Sequence, residues 1–426
     1  MKVVKRVSSS RARRLALCVL LSLVAISTVS CSESGDTDAT VSPLADRFGS
    51  VVERGEYLAR AGDCVACHTQ AGEPEFSGGK AIPTPFGNIY SSNLTSDDAT
   101  GLGQWNADDF WQALHHGKSR DGRSLYPAFP YPSYSHMTRD DSDALFAYLQ
   151  GVPAVKQQPP AHELVFPYNT QLALNVWRLL FFRPDVFVAD PARSESWNRG
   201  AYLVTGPGHC SACHTPRGRF GNSQSQHELA GAHIDGLDWD ALSLRQGSLP
   251  KEDKDALVEL LKRGENERDV LSGPMAEVVL HSLQYLDRED LGAMVEYLSS
   301  LPAAQAPLSP QLSVSASYAE ELYQSGAQVY GEHCVDCHGE DGHGEPYRYP
   351  ALAGNKGVSA GSPNNAIRSL MGGGFGASTT ERPRPYGMPP FAHQLDDQQA
   401  AAVLTYIRRS WGNQASAVSP EALRKN

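Results

Sequence analysis

The sequence predicts an all-α protein of three tandem units, each folded around a prosthetic group held by one short motif. Three observations lead there. Cys64-Val65-Ala66-Cys67-His68 returns as Cys210-Ser211-Ala212-Cys213-His214 and as Cys334-Val335-Asp336-Cys337-His338. Each copy follows an approach segment, Arg54-Gly-Glu-Tyr-Leu58, Arg199-Gly-Ala-Tyr-Leu203 or Gly326-Ala-Gln-Val-Tyr330, and precedes an amphipathic closing helix. The stretches between motif and closing helix are rich in Gly and Pro and carry little strand patterning.

The motif spacing carries the chemistry. On a helical turn, residues i, i+3 and i+4 share a face, so two sulfurs and an imidazole can address one flat macrocycle. The cysteines can form thioethers with the two haem vinyl groups, and the histidine after the second cysteine reaches the iron. A zinc knuckle would need a second ligand pair close by, and a thioredoxin-like pair needs a βαβ context and no histidine. Three copies therefore predict three covalently bound haem c groups. Their attachment points are Cys64 and Cys67, Cys210 and Cys213, and Cys334 and Cys337, with His68, His214 and His338 as axial iron ligands.

Taken in order, the chain opens with Lys2, Lys5, Arg6, Arg11, Arg13 and Arg14 before an apolar run from Leu15 to Val29, the pattern of a Sec-type export signal over residues 1–31. Arg13-Arg14 would also suit twin-arginine export, but covalent haem is attached after export, so the apoprotein should cross unfolded. Cys31, after Thr28-Val29-Ser30, resembles the acylated cysteine of a bacterial lipoprotein; ordinary cleavage near the same point is the alternative. Acylation would anchor the protein to the periplasmic side of a membrane without spanning it. After the leader, no apolar run approaches the ~18 residues of a transmembrane helix.

Of the 8 cysteines, Cys18 and Cys31 belong to the leader and the rest to the motifs, so none remains for disulfides. The balance of 48 acidic against 37 basic residues, net −11, argues against a nucleic acid partner. The expected domains are 48–155, 192–302 and 318–413. Closing helices from Thr138 to Leu149, Asp287 to Leu301 and Leu395 to Trp411 open near Thr or Asp caps, and Pro153 and Pro302 end the first two. Linker 156–191 includes Leu172 to Phe182, too apolar for a free tether and expected between domains or against a partner subunit. Linker 303–317 reads as a plain spacer and 414–426 as a polar tail.

The second axial ligand separates electron carriers from haem centres open to small molecules. One methionine lies between each motif and its closing helix: Met137, Met275 and Met388. Met388 sits in Tyr386-Gly-Met-Pro-Pro-Phe391, where the prolines stiffen the loop. His136, His281 and His393 are the alternative ligands in their domains, and Met294 and Met371 read as core.

Pro85-Phe-Gly-Asn-Ile-Tyr-Ser-Ser-Asn-Leu-Thr95, Leu125-Tyr-Pro-Ala-Phe-Pro-Tyr-Pro-Ser-Tyr134, Gly273-Pro-Met-Ala-Glu-Val-Val279 and the Met388 segment make the chain similar to a known family. From about Gly55 to Gly412 it resembles the triheme cytochrome c subunit of bacterial membrane-bound dehydrogenases of the alcohol, gluconate, sorbitol and fructose type. The resemblance implies three class I cytochrome c folds that take electrons from a flavin- or quinone-cofactor dehydrogenase subunit and pass them to ubiquinone. It also implies axial pairs His68/Met137, His214/Met275 and His338/Met388, and no site for an organic substrate. The family often ends in an amphipathic membrane-binding segment, where this chain has its polar tail, so the anchor is expected at Cys31 instead. Two other functions fit the residues: a free-standing periplasmic electron shuttle, and a haem enzyme or sensor with an open axial site in the first domain.

Overall fold

The structure is a computed structural model that describes residues 47–306 and 312–424. The expected signal peptide with Cys31, five residues of the linker 303–317 and the last two residues of the tail lie outside the described residues.

Helix α1 (Val51–Ala61) starts where the Ser50 side chain accepts the Glu53 amide, and the first motif follows as α2 (Cys64–His68). Strands β1 (Ala81–Thr84) and β2 (Gly87–Tyr90) pair antiparallel. Next come α3 (Ala107–His116), opened by an Asn106–Asp109 capping box, α4 (Tyr131–Tyr134) and α5 (Arg139–Gln150), capped by Thr138. The connection to the second motif carries β3 (Glu163–Leu164), which adds to β2, and α6 (Gln171–Phe181).

The order then repeats with α7 (Glu195–Thr205), the motif helix α8 (Ser211–His214), the hairpin β4 (Ala232–Ile234) and β5 (Trp239–Ala241), α9 (Lys251–Arg263), α10 (Pro274–His281) and α11 (Arg288–Ser300). The last stretch comprises α12 (Ala316–His333), the motif helix α13 (Val335–His338), α14 (Asn364–Gly372), β6 (Gly374–Phe375) paired with β7 (Gly387–Met388), α15 (Asp397–Arg409) and α16 (Pro420–Leu423).

The chain is mostly helical, and the expectation of an all-α chain needs one correction. The Gly- and Pro-rich stretches read as loops contain short antiparallel pairings of two to four residues a strand. Such strands are too short to show an alternating pattern in sequence.

Three apolar clusters form the core, each holding one motif and one approach/closing helix pair, α1 with α5, α7 with α11 and α12 with α15. One glycine in each approach helix makes the crossing possible. A Cβ on Gly55 would lie 2.0 Å from the Ala144 carbonyl oxygen, one on Gly200 1.9 Å from that of Ala293, and one on Gly326 2.1 Å from that of Ala402. Backbone therefore packs on backbone, and no side chain fits.

The other residues of the repeated Arg-Gly-x-Tyr phrase lock the first two clusters together reciprocally. Arg199 donates from Nε and Nη2 to the buried Asp290 of α11 at 2.9 and 2.6 Å, and Tyr57 reaches across from α1 to donate to the same carboxylate. In mirror fashion Arg54 pairs with buried Asp141 of α5 at 3.1 Å, and Tyr202 crosses from α7 to donate to it. In the third copy Ser325, Gln328 and Gln399 stand at the Arg, Tyr and Asp positions, so the lock is absent there. The third cluster instead meets the second through polar contacts: Arg382 with Glu265 at 2.5 Å, Asn355 with Asp269 at 3.2 Å, and Arg368 with Asp238 at 2.8 Å.

The expected polar tail 414–426 is docked in part. Val418 and Leu423 are buried against the third cluster, with the Ser419 side chain capping α16, so two apolar residues dock a segment whose average composition is polar.

Candidate functional site

Each motif folds as a single helical turn, which turns its three reactive side chains to one side. The imidazoles are fixed in the same way. His68 Nδ1 donates to the Ser92 carbonyl at 2.7 Å, His214 Nδ1 to that of Leu242 at 2.7 Å, and His338 Nδ1 to that of Pro350 at 3.0 Å. A carbonyl can only accept, so Nδ1 carries the proton and Nε2 presents a lone pair. Burial lowers the pKa of all three rings, with the carbonyl bond opposing, which keeps them in the neutral state that binds metal.

Five of the six motif thiols are held neutral. Burial pushes Cys64 and Cys210 up to about 12 and Cys67 and Cys334 to about 11, and it raises Cys213 as well. That is opposite to the depressed pKa of a thiol-exchange pair. Nor do three or more His, Cys, Asp or Glu side chains converge as a metal cluster among the described residues, which leaves a zinc knuckle without its second half.

The structure brings each candidate methionine to the cluster of its own motif. Met137 is 1% exposed and shares its cluster with Val65 and Cys64. Met275, in the first turn of α10, packs against the cluster of Cys210, and Met388, on β7, against that of Cys334 and Val335. Among the alternatives, His393 is exposed, and His136 is engaged through Nδ1 with the Thr205 carbonyl at 3.2 Å. His281 is half-buried at the end of α10. Met294 is buried on α11, as its core reading requires, whereas Met371 packs on the same cluster as Met388. A half-buried neutral imidazole with a bare Nε2, one thiol in or against an apolar cluster that also includes a thioether, and a second, exposed thiol on the same turn fit a covalently attached haem.

Several residues of these sites carry no motif. Lys80 Nζ donates to the Ala66 carbonyl inside the first motif at 2.7 Å, and Arg217 Nη2 to the Ala212 carbonyl inside the second at 2.9 Å, each placing a cation on the motif turn. The first two motifs also abut. Tyr134 and His209 both donate to the Gly62 carbonyl at 3.1 Å, and their rings meet edge-on at 5.5 Å. At this junction burial pushes the Asp63 carboxyl up to about 8, against the pull of Lys80. No sequence signal marked Lys80 or His209, and Tyr134 was marked only as the end of the phrase Leu125–Tyr134, because their partners are backbone carbonyls distant in the chain.

Helical folds closed around C-x-x-C-H turns with oriented imidazoles define a c-type cytochrome. The protein-family model for cytochrome c matches residues 52–153 and 323–411. The chain is 40% identical over 388 residues to the gluconate 2-dehydrogenase cytochrome c subunit of Pantoea cypripedii, an alignment covering 86% of this chain and 87% of that protein. It is 38% identical to the cytochrome c subunit of alcohol dehydrogenase (quinone) from Gluconacetobacter polyoxogenes, covering 87% and 82%. With the fructose dehydrogenase cytochrome subunit of Gluconobacter japonicus it shares 35% identity over 88% and 82%. The chain belongs to the family of cytochrome c subunits of membrane-bound dehydrogenases, and membership implies covalently bound haem c.

Proposed function

We propose that this chain is a triheme c-type cytochrome that receives electrons from a periplasmic, membrane-associated dehydrogenase and passes them to the respiratory chain, with ubiquinone as acceptor. The observation that carries this reading is the threefold recurrence of one arrangement: a motif imidazole with Nδ1 tied to a carbonyl, beside an apolar cluster that includes the candidate methionine lying between that motif and its closing helix. In this reading residues 48–155, 192–302 and 318–413 are three class I cytochrome c domains. The haem supplies reversible one-electron chemistry when bound.

The chain's residues then hold and shield. The six motif cysteines would attach the macrocycles, with His68, His214 and His338 and Met137, Met275 and Met388 as the side chains that would ligate the iron. A thioether sixth ligand favours electron transfer over binding of small molecules, and the burial of Met137 supports this closed state in the first domain, where an open site was the alternative. The abutting first and second motifs support direct exchange between those two centres. The leader supports export to the periplasm, with Cys31 as a lipid anchor.

The relatives named as gluconate, alcohol and fructose dehydrogenase subunits point to a flavin- or quinone-cofactor dehydrogenase partner that oxidises an alcohol, sugar or sugar acid. The test is to purify the protein from its native membranes and add such substrates while following the haem spectrum. Rapid reduction by one of them, carried by a copurifying dehydrogenase subunit, is expected. Reduction by chemical reductants alone, with no partner subunit, would replace this reading with a free-standing shuttle.

A further inference from the structure

Helix α6 is amphipathic in the reverse sense. Its hydrogen-bonding side chains face the protein: Gln171 accepts from the Ser124 amide at 2.9 Å and donates to its carbonyl at 3.2 Å, Asn175 accepts from the Ser124 hydroxyl at 2.7 Å, and Arg178 donates to the Gly117 carbonyl at 3.3 Å. Its aliphatic stripe faces outward, with Leu172 76%, Val176 49%, Leu179 83% and Leu180 66% exposed. Phe220, 53% exposed, extends the same apolar ground from the loop that receives the Trp177 Nε1 hydrogen bond, its ring 6.2 Å from that of Phe181. The polar anchoring fixes this orientation, so the apolar face is a built surface and awaits a cover.

Charge indicates which cover. Beside α6, residues 182–185 and the two loops it packs on, 117–124 and 216–221, expose four arginines (Arg120, Arg123, Arg183, Arg219) against two aspartates (Asp121, Asp185), in a chain of net −11. An aliphatic stripe with a basic border on an otherwise acidic protein matches the boundary of an anionic bilayer, where acyl chains take the stripe and headgroups the border.

We propose that α6 lies flat on an anionic phospholipid surface, with Leu172, Val176, Leu179 and Leu180 turned into the acyl region. This contact is independent of the acyl group expected at Cys31 and of the haem-ligand and dehydrogenase readings. It lays the protein on the membrane by its side.

The test uses the haem-loaded mature chain exported on an ordinary cleavable signal from residue 32 onward, so that no acyl chain contributes. Its partition onto phosphatidylglycerol/phosphatidylethanolamine vesicles is compared with phosphatidylcholine vesicles by flotation. Binding to the anionic vesicles, weakened by salt, is expected. Leu179→Gln with Leu180→Gln should lower it at least tenfold with an unchanged haem spectrum, and Arg183→Gln with Arg219→Gln should flatten its salt dependence. Failure of the parent chain to bind any vesicle, or equal binding by the leucine variant, overturns the proposal. So does a leucine variant that keeps vesicle binding but releases a dehydrogenase subunit or alters the sedimenting mass, since the face would then be a protein interface.

Discussion

Replacing Asp290 by alanine is expected to cost roughly 3–5 kcal/mol, because it leaves the buried Arg199 guanidinium without its carboxylate. It also removes the acceptor of Tyr57 and Arg47, so the first two clusters should loosen against each other while the third is untouched. Thermal or denaturant unfolding followed by haem absorbance checks this. A variant as stable as the parent would contradict the lock.

The same carboxylate sets an acid limit. Burial acts to raise its pKa, but the bonds from Arg199, Tyr57 and Arg47 outweigh it, and the net value lies below the ordinary 3.8. A depressed carboxylate contributes its stability in full above the unfolded value and loses it as pH falls through the folded one. The lock should therefore hold near neutrality and weaken below about pH 4, and Asp290→Asn should make that acid loss shallower.

Met388→Ala should have the second large effect. Its loss removes the thioether opposite His338, so the third haem should fall in potential by on the order of 0.1 V or more, within the ~0.8 V range axial ligands span. It should also begin to bind carbon monoxide while all three haems stay attached. Met371, on α14, packs against the same apolar cluster and provides the control, since Met371→Ala should leave the potential in place. If Met388→Ala keeps its potential and Met371→Ala loses it, the ligand assignment is reversed.

Much of this architecture is legible in sequence because its signals are local. The motif turns follow from i, i+3, i+4 spacing, and the closing helices follow from their stripes and from Thr138 and Asp396, whose side chains do accept the first-turn amides. The repeated Arg-Gly-x-Tyr phrase is visible too, but its meaning is not: nothing local shows that Arg54 stays within its own unit while Tyr57 crosses to the next. The carbonyls that orient the imidazoles, those of Ser92, Leu242 and Pro350, are equally silent, because every residue has one. Composition is silent on two points: that Val418 and Leu423 dock the polar tail, and that Leu172 to Phe182, expected between domains or against a partner subunit, is held to the protein through Gln171, Asn175 and Arg178.

The central claim is that three six-coordinate haems on this chain act as a one-electron relay. The most direct test is a spectroelectrochemical titration of the purified protein with carbon monoxide added to the fully reduced form. Three one-electron components with no carbon monoxide shift in any of them is the predicted result. Two components, or a shift in the parent protein, would contradict it.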